Sequence, residues 1–318
     1  MTRAMKYSTI ELPEGSRLRG VALSADGKRA AVCNFGLNIV SMIDTETHEI
    51  NDISTSTMER PIYVAFDDNK NRCYVSYLDR FGLVVIDTVL NRIIKTITIT
   101  RPLRQITVDS TNERAYVMCP IQGQLYDEAR IAVIDTATDV LIETISIAKP
   151  GDLPTNIAID PFEHRGFFPL KLSPTHTDLG RIDTITNQLM DPMEYLTTGS
   201  ALDSTAWKDG SLYIASTTQT SVVNTNTEER RALNGGGKDI HLSPLGDRAY
   251  YLLSRSEEGQ LWSALQTVDT GTGAIIDNSL IAPIRPHSMA VSADGTRLCI
   301  TEEEGRSVVV ADIADARR

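Results

Sequence analysis

A hydrophobic run closing on Asp-Thr recurs along this chain. It reads Met42-Ile43-Asp44-Thr45, Val85-Ile86-Asp87-Thr88, Val133-Ile134-Asp135-Thr136 and Arg181-Ile182-Asp183-Thr184. It then continues as Val222-Val223-Asn224-Thr225 and Thr267-Val268-Asp269-Thr270, and ends degenerate as Val310-Ala311-Asp312-Ile313. Successive copies lie 41 to 48 residues apart. Seven copies at that spacing describe a supersecondary unit that cannot bury its apolar face alone and must stack on its neighbours.

Each unit has the same inner grammar. A short β-run such as Gly20-Val21-Ala22-Leu23 or Met289-Ala290-Val291 leads into a polar turn, Ser24-Ala25-Asp26-Gly27 or Ser292-Ala293-Asp294-Gly295. There Asp supplies a side-chain turn bond and Gly the positive φ of a tight hairpin. A second strand follows, as in Ala30–Asn34, and the Ile-Asp-Thr run forms the third. A fourth, such as Ile93–Ile99, alternates apolar and polar residues from Lys95 as a half-exposed edge does. Four antiparallel strands per unit and almost no helical period predict an all-β seven-bladed β-propeller, residues 1–318 forming one domain. The last unit has only three strands, so Tyr7–Leu12 is expected to complete its blade beside the strand around Val308–Ala311. This closure hides an edge that would otherwise be bare.

Cys73-Tyr74-Val75-Ser76 and Ala115-Tyr116-Val117-Met118 fall where the YVTN family of propeller repeats carries Tyr-Val-Thr-Asn, and Val-Ile-Asp-Thr resembles that family's third strand. The resemblance covers essentially the whole chain and implies a scaffold, not an activity. The chain is also distantly similar to streptogramin lyases in blade number, but lacks their clustered His-x-Glu-x-His arrangement.

The net charge of −11 at pH 7 has the wrong sign for a phosphate-backbone binder. It argues against nucleic acid and anionic membranes as partners. The opening residues carry no apolar signal core, and no apolar run is long enough to span a bilayer. Cys33, Cys73, Cys119 and Cys299 show neither paired nor metal-type spacing and fall in β-runs of different repeats, which suggests buried reduced thiols. A cytoplasmic monomer is expected.

Aligning the units on their first strands places Arg19, Ile62, Arg104, Thr155, Leu202, Lys238 and His287 at one end of the central channel. Gly20, Tyr63, Gln105, Asn156, Asp203, Asp239 and Ser288 form the next ring. Arg19, Arg104, Lys238 and His287 converge there on an otherwise acidic protein, which suits a small carboxylate or phosphate. Alternatively, these cations pair with Asp203, Asp239 and rim acids and simply tie blades together. Arg60, Arg101 and Arg285, each followed by Pro, recur as blade-to-blade braces. Three long inserts on the same face, 119–130, 169–180 and 254–262, carry Tyr126, His176 and Trp262 as recognition-capable residues.

The five histidines form no metal-spaced pair, so no metal and no other cofactor is expected. There is no nucleophile elbow around a serine, and Gly235-Gly236-Gly237-Lys238 lacks the Lys-Ser/Thr pair of a phosphate loop and reads as a flexible blade linker. Three functions remain open. In the first, the mouth holds a small anionic molecule or a protein partner. In the second, the protein is a lyase, isomerase or hydrolase of a biosynthetic pathway. Its acid–base pair would be His287 with Glu302 or Asp239, while Arg104 and Lys238 clamp an anion. In the third, the rim loops form a protein-interaction platform.

Overall fold

The computed structural model describes residues 6–55, 59–78, 81–120, 128–148, 156–173, 176–193, 202–216, 219–257 and 259–313. Among these residues, 28 strands form seven four-stranded antiparallel sheets, with no α-helix and a single 3₁₀ turn at Asp68–Lys70. Within the first six sheets the strands follow chain order from the channel outward. The inner strands are Leu18–Leu23, Pro61–Asp67, Ile106–Asp109, Ala158–Asp160, Leu202–Lys208, Asp239–Leu242 and Pro286–Val291. Each inner strand touches the next around the ring, and Leu18–Leu23 meets both Pro61–Asp67 and Pro286–Val291. The fold is a closed seven-bladed β-propeller.

The seventh blade is completed as expected. Tyr7–Glu11 pairs antiparallel with Ser307–Asp312, Tyr7 opposite Ala311 and Glu11 opposite Ser307. Ile10 and Leu12 enter the core between blades seven and one.

Middle strands are apolar on both faces because each blade is sandwiched between two others. In Arg29–Asn34, Ala30 and Val32 pack towards Ala290, Cys299 and Val308 of blade seven, whereas Ala31 and Cys33 pack towards Cys73, Val75 and Tyr77 of blade two. Outer strands such as Arg92–Thr98 and Ile50–Ser54 are largely solvated, with one buried residue each, Ile97 and Ile53.

The Asp-Thr signature, Asn-Thr in blade five, clasps the first six blades. The Asp44 carboxylate accepts the backbone N–H groups of Glu46 and Thr47, at 2.9 and 2.7 Å, and so caps the turn into the outer strand. Asp87, Asp183 and Asn224 do the same in their blades. In blades one, five and six the threonine hydroxyl locks the opposite turn: Thr45 Oγ1 donates to Gly27 O at 2.6 Å, Thr225 Oγ1 to Gly210 O at 3.1 Å and Thr270 Oγ1 to Gly246 O at 2.6 Å, whereas Thr88, Thr136 and Thr184 reach that turn through their backbone N–H groups. An arginine opening the second strand then reaches the signature threonine of the following blade. Arg72 donates to Thr136 O at 3.3 Å, Arg165 to Thr225 O at 2.9 Å and Arg297 to Thr45 Oγ1 at 2.6 Å.

The braces expected from the Arg-Pro pairs divide. Arg60 lies 5.3 Å from the ring of Phe35 in the preceding blade, a true blade-to-blade contact. Arg101 donates to Glu128 O at 3.0 Å, and Arg285 pairs with Glu303 at 2.8 Å. Each of these two ties the linker entering a blade to that blade's own second loop. The inserts of blades four and six are extended hairpins rather than irregular loops. Their ladders run to Ser173 opposite His176 and to Glu257 opposite Gln260.

Candidate functional site

First strands begin, and second strands end, on the same face, so the described linkers and second loops gather around one channel mouth. A cavity of ≈ 710 Å³ opens there and follows the inner strands of blades one, two, three, five, six and seven. Tyr63, Gln105, Lys238, Asp239, His241, His287 and Ser288 supply its polar wall from the mouth inward. A second cavity of ≈ 420 Å³ lies against blades three, four and five and shares Gln105, Thr107 and Trp207 with the first.

Lys238 and Asp239 are placed by the triple glycine. A Cβ on Gly237 would stand 2.5 Å from Leu252 O, and the Gly237 N–H donates to Ser216 O at 2.9 Å. The segment is therefore a close-packed corner where blade five meets blade six. Lys238 N donates to Leu252 O at 3.0 Å, which fixes the start of the inner strand.

The rim cations outnumber the rim carboxylates that face them. Arg19 and Arg17 share Glu304, the second at 3.8 Å, and Arg19 also lies 4.9 Å from the Phe35 ring. Lys238 and Arg285 share Glu303, at 3.5 and 2.8 Å. Arg104 is exposed and forms no ion pair with a described residue. Hydrogen bonding and charge from Arg19 hold the Glu304 carboxyl below its ordinary range.

The titratable groups on the wall are pushed in different directions. Burial raises the Tyr63 phenol, with Asp239 adding to the rise and Arg104 and Arg19 opposing it, so it remains a hydroxyl donor at neutral pH. Burial lowers His287, and the charges of Arg19 and Lys238 lower it further against the opposing pull of Glu303 and Glu304. His241 moves the other way. Burial favours its neutral ring, but the Asp239 carboxylate and the Met289 carbonyl outweigh that and carry its pKa above the ordinary value.

The expected site residues are only partly brought together. Arg19, Tyr63, Lys238, Asp239 and His287 gather around blades one, two, six and seven, with Arg104 close enough to act on Tyr63. Asn156 is buried and exchanges two hydrogen bonds with Thr205 of the next blade, at 3.2 and 3.0 Å, so its amide is engaged between blades. Glu302 accepts the Ser307 N–H of its own hairpin at 3.2 Å, and the acids acting on His287 are instead Glu303 and Glu304. Trp262 stands half-buried opposite Arg255 on the blade-six hairpin, outside both cavity walls. Asp203 falls at an irregularity between Leu202 and Ser204 in the inner strand of blade five, and His176 opens the third strand of blade four. The side chains of Asp203 and His176, together with the whole of Tyr126 and Thr155, lie outside the described residues.

Among the described residues, no three His, Cys, Asp or Glu side chains come together as a metal site. Cys119 is buried, and burial pushes its thiol up to about 12. A thiol so raised is a poor nucleophile at neutral pH.

No protein-family model matches the chain. Over 149 residues, 45% of this chain and 37% of the relative's length, it is 28% identical to the seven-bladed beta-propeller protein Rv1057 of Mycobacterium tuberculosis. The chain thus spans well under two thirds of that relative. The ring superposes on hydrazine synthase of Kuenenia stuttgartiensis with a TM-score of 0.77, covering 95% of this chain and 97% of that one at 14% identity. That is a likeness of fold.

This chain is a seven-bladed β-propeller protein.

One wall residue of the propeller, His241, escapes a reading that aligns only the channel mouth. It lies two positions after Asp239 in the same inner strand, and residues so spaced face the same side. That periodicity was the signal available for finding it.

Proposed function

We propose that this propeller binds a small anionic molecule at the channel mouth, between blades one, two, six and seven. The observation that carries this reading is the charge arrangement. Arg17, Arg19, Lys238 and Arg285 share two carboxylates, and Arg104 forms no ion pair with a described residue. Concentrating cations costs free energy unless something compensates them. A molecule of net charge −11 also has few places where an anion is drawn inward. The guanidinium fork of Arg104 and the Lys238 ammonium offer charge-assisted hydrogen bonds to a carboxylate or phosphate, with the Tyr63 hydroxyl as a neutral donor. The ≈ 710 Å³ cavity below matches the volume of small-molecule sites.

An anion that binds only the native state raises the melting temperature by mass action, by about 2.7 kcal/mol of stability at a hundred times its dissociation constant. A panel of small carboxylates and phosphates should include members that raise it in a concentration-dependent way. The double variant Arg104→Met/Lys238→Met should stay folded and lose the response. A wild-type protein unmoved by the whole panel would refute the site.

A further inference from the structure

The cavity holds a histidine whose two ring nitrogens are in different situations. His241 Nε2 lies 3.0 Å from the backbone carbonyl of Met289 in the next blade. A carbonyl oxygen can only accept, so Nε2 carries the proton, and the lone pair of the neutral ring sits on Nδ1. The Asp239 carboxylate stands 3.8 Å from the same Nε2 and is itself held by the Met289 N–H at 3.4 Å. The Met289 carbonyl of blade seven and the Asp239 carboxylate of blade six thus both act on the Nε2 side of the ring. Nδ1 has no hydrogen-bond partner among the described residues and is not a buried orphan, while the ring lines the cavity wall.

We propose that His241 is the proton-transferring residue of this cavity, presenting Nδ1 to the molecule bound there, with Asp239 as its positioning residue. The inference deepens the anion reading by giving the cavity an acid–base activity on a small anion that carries a removable proton. In the forward step, a proton leaves an acidic O–H, N–H or activated C–H of the bound molecule for Nδ1. The bonding electron pair stays on the molecule, and the new imidazolium has its positive charge next to Asp239. The reverse step returns the proton.

The surroundings fit that task. A transfer group works best when its pKa lies near the operating pH, and Asp239 and the Met289 carbonyl bring His241 upward from the ordinary imidazole value of about 6.5. The other titratable groups on the wall are Tyr63 and Asp68 of blade two, Lys208 of blade five, Lys238 of blade six and His287 of blade seven. His287 is held in its neutral form by burial and by Arg19 and Lys238. Two histidines in one cavity are therefore driven apart, an arrangement that separates a proton donor from an acceptor.

Two measurements test this on the ligand-free protein, so their outcome is independent of whether any anion from the panel binds. Two-bond proton–nitrogen NMR of the ¹⁵N-labelled wild type, assigned with His241→Gln, should show His241 as the Nε2–H tautomer. Its titration midpoint should fall in Asp239→Asn, because the carboxylate that favours the imidazolium is gone. Diethyl pyrocarbonate, which acylates unprotonated imidazole nitrogen, should modify His241 in the folded wild type. An Nδ1–H tautomer, a midpoint unmoved by Asp239→Asn, or a His241 that stays unmodified while exposed His48 reacts would each overturn the proposal. Should Asp239→Asn fail to fold, the two wild-type measurements decide it.

Discussion

Arg297 donates a hydrogen bond to Thr45 Oγ1 at 2.6 Å, joining the last blade to the first across 252 residues. The same hydroxyl donates to Gly27 O at 2.6 Å, so one threonine links its own blade's turn to the neighbouring blade's arginine. A hydrogen bond from a charged donor contributes about 1.5–3 kcal/mol. Arg297→Met should lower stability by about that amount in urea unfolding, and Thr45→Val by a comparable amount. Combining the two should cost less than their sum, because both remove the same bond. Strict additivity would show that the contact stores no coupling energy.

Ring closure by the first strand gives a larger effect. Removing residues 1–12 takes away five paired residues and the buried side chains of Ile10 and Leu12. Full burial of two such side chains is worth about 3–6 kcal/mol, and the exposed partner Ser307–Asp312 becomes an unpaired edge. The truncated protein should melt well below the full chain and tend to associate. An unchanged melting temperature would show that the strand does not close the ring.

The signature aspartates should shape the acid limb of stability. Backbone hydrogen bonds in the blade turns lower the carboxyls of Asp44, Asp183 and Asp269 below the ordinary value, which is about 3.9. A group whose folded pKa is depressed stabilises the fold above its unfolded value and loses that contribution as pH falls through the folded one. Melting temperature should therefore hold from neutral pH to about 5 and fall below about 4 as these turns protonate. Blade five shows the control that nature provides: Asn224 accepts the same two N–H groups, at 2.9 Å each, without a charge. The triple variant Asp44→Asn/Asp183→Asn/Asp269→Asn keeps the turn bonds and should flatten the acid limb. An acid limb of the same steepness would assign the loss to other carboxylates.

Blade number, strand order within a blade, the clasping turns and the closing strand are all written in the sequence. They depend on local chemistry that recurs from blade to blade: Asp or Asn at a turn whose two N–H groups need an acceptor, Thr beside the opposite turn, apolar residues on strands covered from both sides. The approximate ring of mouth residues is legible as well, because identical units place equivalent positions at equivalent heights. What the tertiary structure decided is direction and partnership. Glu302, Glu303 and Glu304 are indistinguishable as a run, yet the first turns to Ser307 and the other two to the rim cations, since successive residues of an extended chain point to opposite sides and the hairpin end breaks the alternation. Asn156 fits a ligand ring by position, but the approach of Thr205 engages its amide. The role of His241 depends on a carbonyl 48 residues away in the next blade, and only packing blade six against blade seven brings it to the ring nitrogen. Repetition encodes the scaffold locally, while pairings such as Lys238 with Glu303 and His241 with the Met289 carbonyl arise between blades, where no single repeat carries both partners.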